Sequence, residues 1–441
     1  MERVLALDLA RAAKDAPGEA VKVTGWVHRI RELGGVTFVI VRDRSGLAQL
    51  VCGEKPADTS GAALTLESVI QAGGLPALNE KAPGGAELAV KTIEVLSRAA
   101  GDLPYQVNGD ITKIGLDTIL DYRILSLRNP RIRAVFKVQA TIIEAFSAYL
   151  RARDFTEIKT SKIVGGGTEG GTELFEVAYF DKKAYLAQSP QFYKETMVAS
   201  GLERVFEVAP AYRAEKHDTP RHINEYVSLD VEMGFIDSEK ELMELEKGIL
   251  SHVFEEVLTK NQRELELWSA QVPDPGLVAG APVMGYEEAV KLANAESEKA
   301  KTSSARIFDI NPEAERLLCA WAGREKGIEL IFVNEFPRRY RPFYTYPLDA
   351  SRTMSFDALF RGLEISTGGK RLHDYAAFLE VLPKFGIKAE AMEGYCSLLK
   401  YGCPPHGGFA IGCERFTQKI LGLANVKEAS LFPRDRKRTT P

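Results

Sequence analysis

A chain of 441 residues with 45% hydrophobic and 27% charged residues is long enough for two or three domains, and its composition excludes a disordered, collagenous or membrane-spanning class. The formal net charge of -4 gives no overall attraction to nucleic acid, so any such binding needs a local basic surface. Five cysteines (Cys52, Cys319, Cys396, Cys403, Cys413) form no CxxC pair and the six histidines are scattered, which argues against a zinc cluster and for reduced thiols in the cytoplasm.

The first residues, MERVLALDLARAAKD, mix acidic with apolar side chains and lack the unbroken apolar core of a signal peptide. From Glu19 to Ser97 short β-rich runs alternate with Gly, Pro and Asn breaks at hairpin or loop lengths. Five short strands with a basic rim suggest an OB-fold over residues 1–102. Within it, WVHRIRELGGVTFVIVRDR (26–44) sets Arg29, Arg31, Arg42 and Arg44 around Phe38, a mixture of cations and aromatic suited to single-stranded RNA. A strand pair with a solvated basic face would read the same way. Residues 103–130 show no strong period and read as a hinge.

The remainder, 131–441, reads as antiparallel strands mixed with helices. Val135, Val138, Ile142, Ile143, Phe146, Tyr149 and Leu150 recur at helical spacing, and FTEIKTSKI after them reads as a strand. Arg204 to Phe235 reads as a hairpin. Val205, Glu207, Ala209, Ala211 and Arg213 share one face of its first strand, and Asn224, Tyr226, Ser228, Asp230 and Glu232 one face of its second. Both faces are too polar for a core, and Ala214 to Arg221 forms a charged loop between them. The acidic stretch Tyr286 to Arg306 reads as a helical excursion. In PPHGGFAIGCERF (404–416) a strand runs into a helix with Arg415 in its first turn, where helix N-terminus and guanidinium make an anion site. No GxGxxG in a βαβ unit and no GxxxxGK[ST] occurs, which disfavours Rossmann and P-loop nucleotide chemistry.

The hairpin arginine and the helix arginine resemble motifs 2 and 3 of the class II aminoacyl-tRNA synthetases. Gly167–Lys194, Arg361–His373 and Phe432–Pro441 resemble the archaeal-type aspartyl-tRNA synthetases, and the likeness runs along essentially the whole chain. The resemblance implies an OB-fold that reads an anticodon and an α+β catalytic domain that activates L-aspartate with ATP and magnesium. By motif 1, it also implies a homodimer. Ser161 stands where that motif expects proline, which touches only local rigidity.

The same resemblance assigns roles residue by residue. Arg213 and Arg415 take the α- and γ-phosphates of ATP, with Glu215, Arg221, His222 and Glu364 at the same site. Asp357, Glu364 and Thr367 hold magnesium, as hard oxygen donors suit. Arg371 grips the side-chain carboxylate of aspartate through a bidentate fork, assisted by Lys194. Gln191 and Asp230 orient the substrate, Asp230 by its ammonium group, and Glu169 lies on a Gly-rich closing loop. His28, Arg31, Phe38, Gln49 and Pro83 read the anticodon, and His28 with Pro83 is the pattern of members that charge both tRNA-Asp and tRNA-Asn. The alternatives are an asparaginyl-tRNA synthetase and an enzyme confined to tRNA-Asp. A non-catalytic paralogue would have lost the arginines or the acidic pair, and a tRNA-independent asparagine synthetase would lack the OB-fold.

Overall fold

The computed structural model describes residues 1–53, 64–167, 174–301 and 306–440. It divides into two compact units, Met1–Gly115 and Leu116–Pro441. Residues 103–130, read as one hinge, are thus divided between the units; the second unit's share contains the helices Leu116–Asp121 and Arg123–Ser126.

In the first unit the strands are β1 (Val21–Leu33), β2 (Val36–Arg42), β3 (Leu47–Cys52), β4 (Val69–Leu78) and β5 (Ala86–Ser97), closed into a barrel in the order β1-β2-β3-β5-β4. Every second residue of β1 turns inward, and Val21, Val23 and Val27 join Val39, Val41, Ala48, Leu50, Ile70, Ala72 and Leu88 in one core. Closure leaves no free sheet edge. Three strands, of 10 to 13 residues, are longer than the short runs expected.

The second unit is built on an eight-stranded sheet. Its strands in chain order are β6 (Thr156–Glu157), β7 (Ile163–Val164), β8 (Glu176–Tyr179), β9 (Lys182–Leu186), β10 (Arg204–Tyr212), β11 (Glu225–Gly234), β12 (Val283–Gly285), β13 (Leu330–Asn334), β14 (Ser355–Phe360), β15 (Leu363–Lys370) and β16 (His406–Gly412). The large sheet has the order β12-β13-β14-β15-β16-β11-β10-β6, and β7, β9 and β8 form a small separate one. Two expectations need correction. The outermost pairs, β10 with β6 and β12 with β13, are parallel, so the sheet is mixed rather than antiparallel throughout. FTEIKTSKI is not one strand: it supplies β6 to the large sheet and the start of β7 to the small one.

One face of the sheet is apolar; the other is polar across β10, β11, β15 and β16 and is covered at β13 and β14 by a second apolar cluster that includes Ile331, Val333 and Leu359. The apolar face carries Phe206, Val231, Phe356, Phe409 and Ile411 against the helices Pro130–Arg151, Glu239–Lys260 and Cys413–Leu421. Asn129 caps the first of these helices with Pro130 at its first position, and Ser238 with Glu241 forms a capping box on the second. The helix Tyr286–Ala300 falls where the helical excursion is expected.

Candidate functional site

Cross-strand partners in a sheet project to the same side. In the hairpin β10–β11 the pairs are Val205 with Glu232, Glu207 with Asp230, Ala209 with Ser228 and Ala211 with Tyr226, the faces read from the sequence. The pairing continues from Asp230 to Ala410 of β16, then to Thr367 of β15 and Asp357 of β14. A single transverse row thus bears Glu207, Asp230, Thr367 and Asp357, with Asp230 and Asp357 ~14 Å apart at three strand spacings.

Glu364 joins this face because β15 departs from regular pairing. Asp357 faces Thr367, but Leu359 faces Glu364, so an extra residue is accommodated between Glu364 and Ser366. Three residues apart, Glu364 and Thr367 would point to opposite faces of a regular strand; the bulge puts them together, and Thr367 Oγ1 donates to Glu364 Oε1 at 3.3 Å.

Over this face lies a cleft of about 350 Å³, lined among others by Gln191, Lys194, Arg213, Glu215, Arg221, His222, Asp230, Glu364, Thr367, Arg371 and Arg415. Eleven of the residues singled out for ATP, aspartate and magnesium therefore share one cavity. Asp357 lies beneath it, opposite Thr367, and Glu169 falls outside the described residues.

At one end the cleft is a buried charge cluster. Arg371 Nε and Nη2 donate to Glu232 Oε1 and Oε2 at 3.0 and 3.2 Å, and Nη2 also reaches the Gly408 carbonyl at 3.0 Å. The bidentate edge expected to grip a substrate is thus turned on Glu232. Nη1 has no hydrogen bond among the described residues. Burial opposes the charge of Arg371, yet Glu232 holds its pKa above the ordinary value. Lys194 contacts Asp230 Oδ1 at 3.0 Å, Glu232 Oε2 at 3.3 Å and the Val231 carbonyl at 3.3 Å, which uses its three donors. Asp230 Oδ2 is buried with no hydrogen-bond partner, an acceptor suited to an ammonium group.

Beyond Arg371 lies a network that the sequence reading missed. Glu195 accepts from Gln191 Nε2 at 2.6 Å and from the Tyr395 hydroxyl, and lies 3.1 Å from His406 Nε2. His406 Nδ1 lies 2.9 Å from the Pro404 carbonyl, which can only accept. Both ring nitrogens thus face acceptors. Burial works against the imidazolium, but the hydrogen bonds to Cys403 and Glu195 prevail and raise its pKa to about 10. Three carboxylates (Glu195, Asp230, Glu232) then stand with three cations (Lys194, Arg371, His406) in formal balance. Glu195 follows Gln191 by four residues, and that helical spacing was the available signal.

Glu232 needs a glycine opposite it. A Cβ on Gly408 would stand 2.0 Å from the Val231 carbonyl oxygen and 2.3 Å from Glu232 Oε2. Gly408→Ala should lower stability by about 1–3 kcal/mol through strand displacement. Thermal unfolding checks it: a melting temperature equal to that of the parent chain would count against the packing argument.

The other end is rich in guanidinium groups. Arg415 donates through Nε to the Arg221 carbonyl and through Nη1 to the Glu364 carbonyl, both at 3.3 Å. Arg221 Nη2 donates to Glu315 Oε1 and Oε2 at 2.8 and 2.6 Å. Burial, then the Arg415 charge, lowers the pKa of His222, whose Nδ1 meets Thr219 Oγ1 at 2.6 Å. Glu215 and Arg213 lie at the start of the charged loop, and the Arg213 guanidinium stands 5.9 Å from the Tyr226 ring centre. Asp357 is in 2.8 Å charge contact with Arg341, a cleft residue not singled out from sequence. Burial pushes the Asp357 pKa up to about 6 despite that cation. The oxygens of Asp357, Glu364 and Thr367 are hard donors of the kind that fits a divalent cation, with Asp357 Oδ1 shared with Arg341.

In the first unit Arg31 and Phe38 are cross-strand partners, and Gln49 lies diagonally beside Phe38 on the same outward face. Gln49 Nε2 donates to Glu87 Oε2 at 2.9 Å. His28 sits at an irregularity in the β1–β2 pairing, and Pro83 opens a short turn, between β4 and β5, that packs against β3.

The sheet with its cleft of arginines and acids and the five-stranded barrel of the other unit each match a known family. Residues 115–436 match the family of tRNA synthetases class II (D, K and N), and residues 21–96 match the OB-fold nucleic acid binding domain. The chain belongs to the class II tRNA synthetases of the D, K and N group. It is 47% identical to an aspartate–tRNA(Asp/Asn) ligase of Thermus thermophilus, covering 98% of this chain and 99% of that one. It is 38% identical to an aspartate–tRNA(Asp) ligase of Pyrococcus furiosus, covering 96% and 97%. The crystal structure of asparaginyl-tRNA synthetase from Pyrococcus horikoshii complexed with asparaginyl-adenylate superposes with a TM-score of 0.87 at 29% identity, covering 97% of each chain.

Proposed function

We propose that the chain is an aspartate–tRNA ligase that makes aspartyl-adenylate from L-aspartate and ATP and transfers the aspartyl group to the 3' end of both tRNA-Asp and tRNA-Asn. The observation that carries the choice of amino acid is the buried cluster around Arg371, which offers Nη1 to the side-chain carboxylate while Asp230 Oδ2 awaits the ammonium group. Asparagine would set an amide NH₂ against these donors. At ~1.5–3 kcal/mol per charged hydrogen bond, one lost contact gives roughly 10- to 150-fold discrimination.

The reaction is attack of the aspartate α-carboxylate on the α-phosphorus of ATP with loss of pyrophosphate, and then attack of a terminal ribose hydroxyl of tRNA on the mixed anhydride with loss of AMP. The protein positions the reactants and neutralises charge. In this reading Arg213 and Arg415 bracket the phosphates, with Arg221, His222, Glu215 and Glu364 around the nucleotide. Asp357, Glu364 and Thr367 would hold magnesium, which when bound supplies charge neutralisation at the phosphates. Arg31, Phe38 and Gln49 meet the anticodon, where stacking is worth ~1–3 kcal/mol per base. By the motif 1 likeness the enzyme works as a homodimer. Its reduced cysteines suit the cytoplasm, and no described helix is long and apolar enough to cross a membrane.

Support for the double tRNA specificity comes from His28 and Pro83 and from the name of the Thermus thermophilus relative. Charging of tRNA-Asp and tRNA-Asn transcripts side by side tests it. The kcat/KM values should lie within about tenfold, or ~1.4 kcal/mol. His28→Trp with Pro83→Lys should widen the gap by weakening tRNA-Asn charging. Rejection of tRNA-Asn by a thousandfold in the unaltered enzyme would confine it to tRNA-Asp.

A further inference from the structure

Arg42, expected from the sequence among the cations that meet RNA, is instead buried behind the outward face of the barrel in an ion pair that the aminoacylation reading does not use. Arg42 is 1% exposed, and its Nη1 and Nη2 donate to Glu67 Oε1 and Oε2 at 3.1 and 2.7 Å. The same Nη1 lies 3.0 Å from His28 Nδ1. Replacing buried ion pairs by apolar residues is often neutral or stabilising, so stability is a weak reason for keeping this one.

A guanidinium has donors and no acceptor. His28 Nδ1 must therefore offer its lone pair, and the proton of the neutral ring sits on Nε2. Burial and then the Arg42 charge push the His28 pKa down to about 4, so the neutral ring is the form present at pH 7. The remaining charged neighbours, Glu67 and Arg29, partly cancel. Nε2 has no hydrogen-bond partner among the described residues, and the backbone is held too, with Asn108 Nδ2 donating to the His28 carbonyl at 2.6 Å. His28 thus presents one N–H and no acceptor, three residues before Arg31 on the strand pair that bears Phe38.

We propose that Arg42, clamped by Glu67, is a positioning residue that locks His28 as an N–H donor toward the third anticodon base and thereby supports the charging of tRNA-Asn. The proposal rests on the double specificity inferred above. That base is cytosine in tRNA-Asp and uracil in tRNA-Asn. At the 4 position uracil offers an acceptor oxygen and cytosine an amine, so a locked donor there suits uracil. At N3 the same donor would suit cytosine and oppose uracil, so it could not support tRNA-Asn charging. Releasing the lock lets the proton move to Nδ1 and turns the Nε2 lone pair outward, which suits the cytosine amine and opposes the uracil oxygen.

The test replaces the whole pair, Arg42→Met with Glu67→Leu, in the full chain. Retained charging of tRNA-Asp, which needs the barrel that holds the pair, reports that the barrel folds, and pyrophosphate exchange without tRNA reports that the other unit does. The tRNA-Asn to tRNA-Asp ratio of kcat/KM should fall about tenfold. A second variant, Arg42→Lys, has no planar fork for two partners and should lower the ratio in the same direction. In ¹⁵N-histidine spectra at pH 7 the unaltered chain should show an unprotonated Nδ1 and a protonated Nε2 for His28, and the double variant a mixture. An Nδ1–H ring in the unaltered chain overturns the proposal, as does an unchanged ratio in a variant whose ring has been released. Failure of the unaltered enzyme to charge tRNA-Asn instead overturns the double specificity, and the spectra still decide whether the lock exists.

Discussion

Arg371→Leu is expected to lower kcat/KM for aspartate-dependent pyrophosphate exchange by roughly 10²–10⁴-fold while ATP binding survives. The change removes the cation proposed to meet the substrate carboxylate and also unbalances its surroundings. Glu195, Asp230 and Glu232 would remain with Lys194 and His406 alone, so an incoming aspartate meets excess negative charge. Loss of two charged hydrogen bonds at ~1.5–3 kcal/mol each gives roughly 10²–10⁴-fold. Arg371→Lys should recover little, because one ammonium cannot hold both Glu232 oxygens, the Gly408 carbonyl and a substrate. Exchange kinetics and calorimetric ATP titration check both variants. Near-normal exchange at low aspartate would remove Arg371 from the recognition site.

Glu364→Gln should cut the adenylation rate by ~10²-fold and raise the magnesium concentration needed for half-maximal exchange. Glu364 is more than a third exposed at the cleft and stands 3.7 Å from Arg415, so the substitution removes a charge without leaving a buried orphan. Folding should therefore be untouched. Stopped-flow adenylation at several magnesium concentrations reads the effect, and a magnesium titration identical to that of the parent would place the cation elsewhere.

The hairpin shows how a site becomes legible in one dimension. Glu207, Asp230 and Glu232 alternate with apolar residues, and a two-residue period can put them on one face only. Arg415 was legible because a strand runs straight into its helix. Arg341 was not, since its role depends on Asp357 of another strand and the sequence around it has no period. His406 and Glu195 lie 211 residues apart, and nothing in the sequence joins them. The strand expected from Phe155 to Ile163 failed because residues of strand-like composition were claimed by two different sheets, a choice made by tertiary pairing rather than by propensity.

By itself the sequence determined the barrel, the side of each hairpin strand that must leave the core, the arginines that line the cleft, and, through its motifs, the family. Those follow from local rules: alternation, helical spacing and the donor inventory of each side chain. Tertiary structure alone decided which carboxylate holds which cation. Arg371 carries a fork that would suit a substrate, yet Glu232 occupies it, because pairing of β11 with β16 brings the Glu232 carboxylate over Gly408 and the Arg371 chain returns to the same spot. It also decided that Glu364 and Thr367 share a face, which needs the extra residue in β15. Charge pairing and register depend on distances across the sheet, and a linear order of residues contains no such distance.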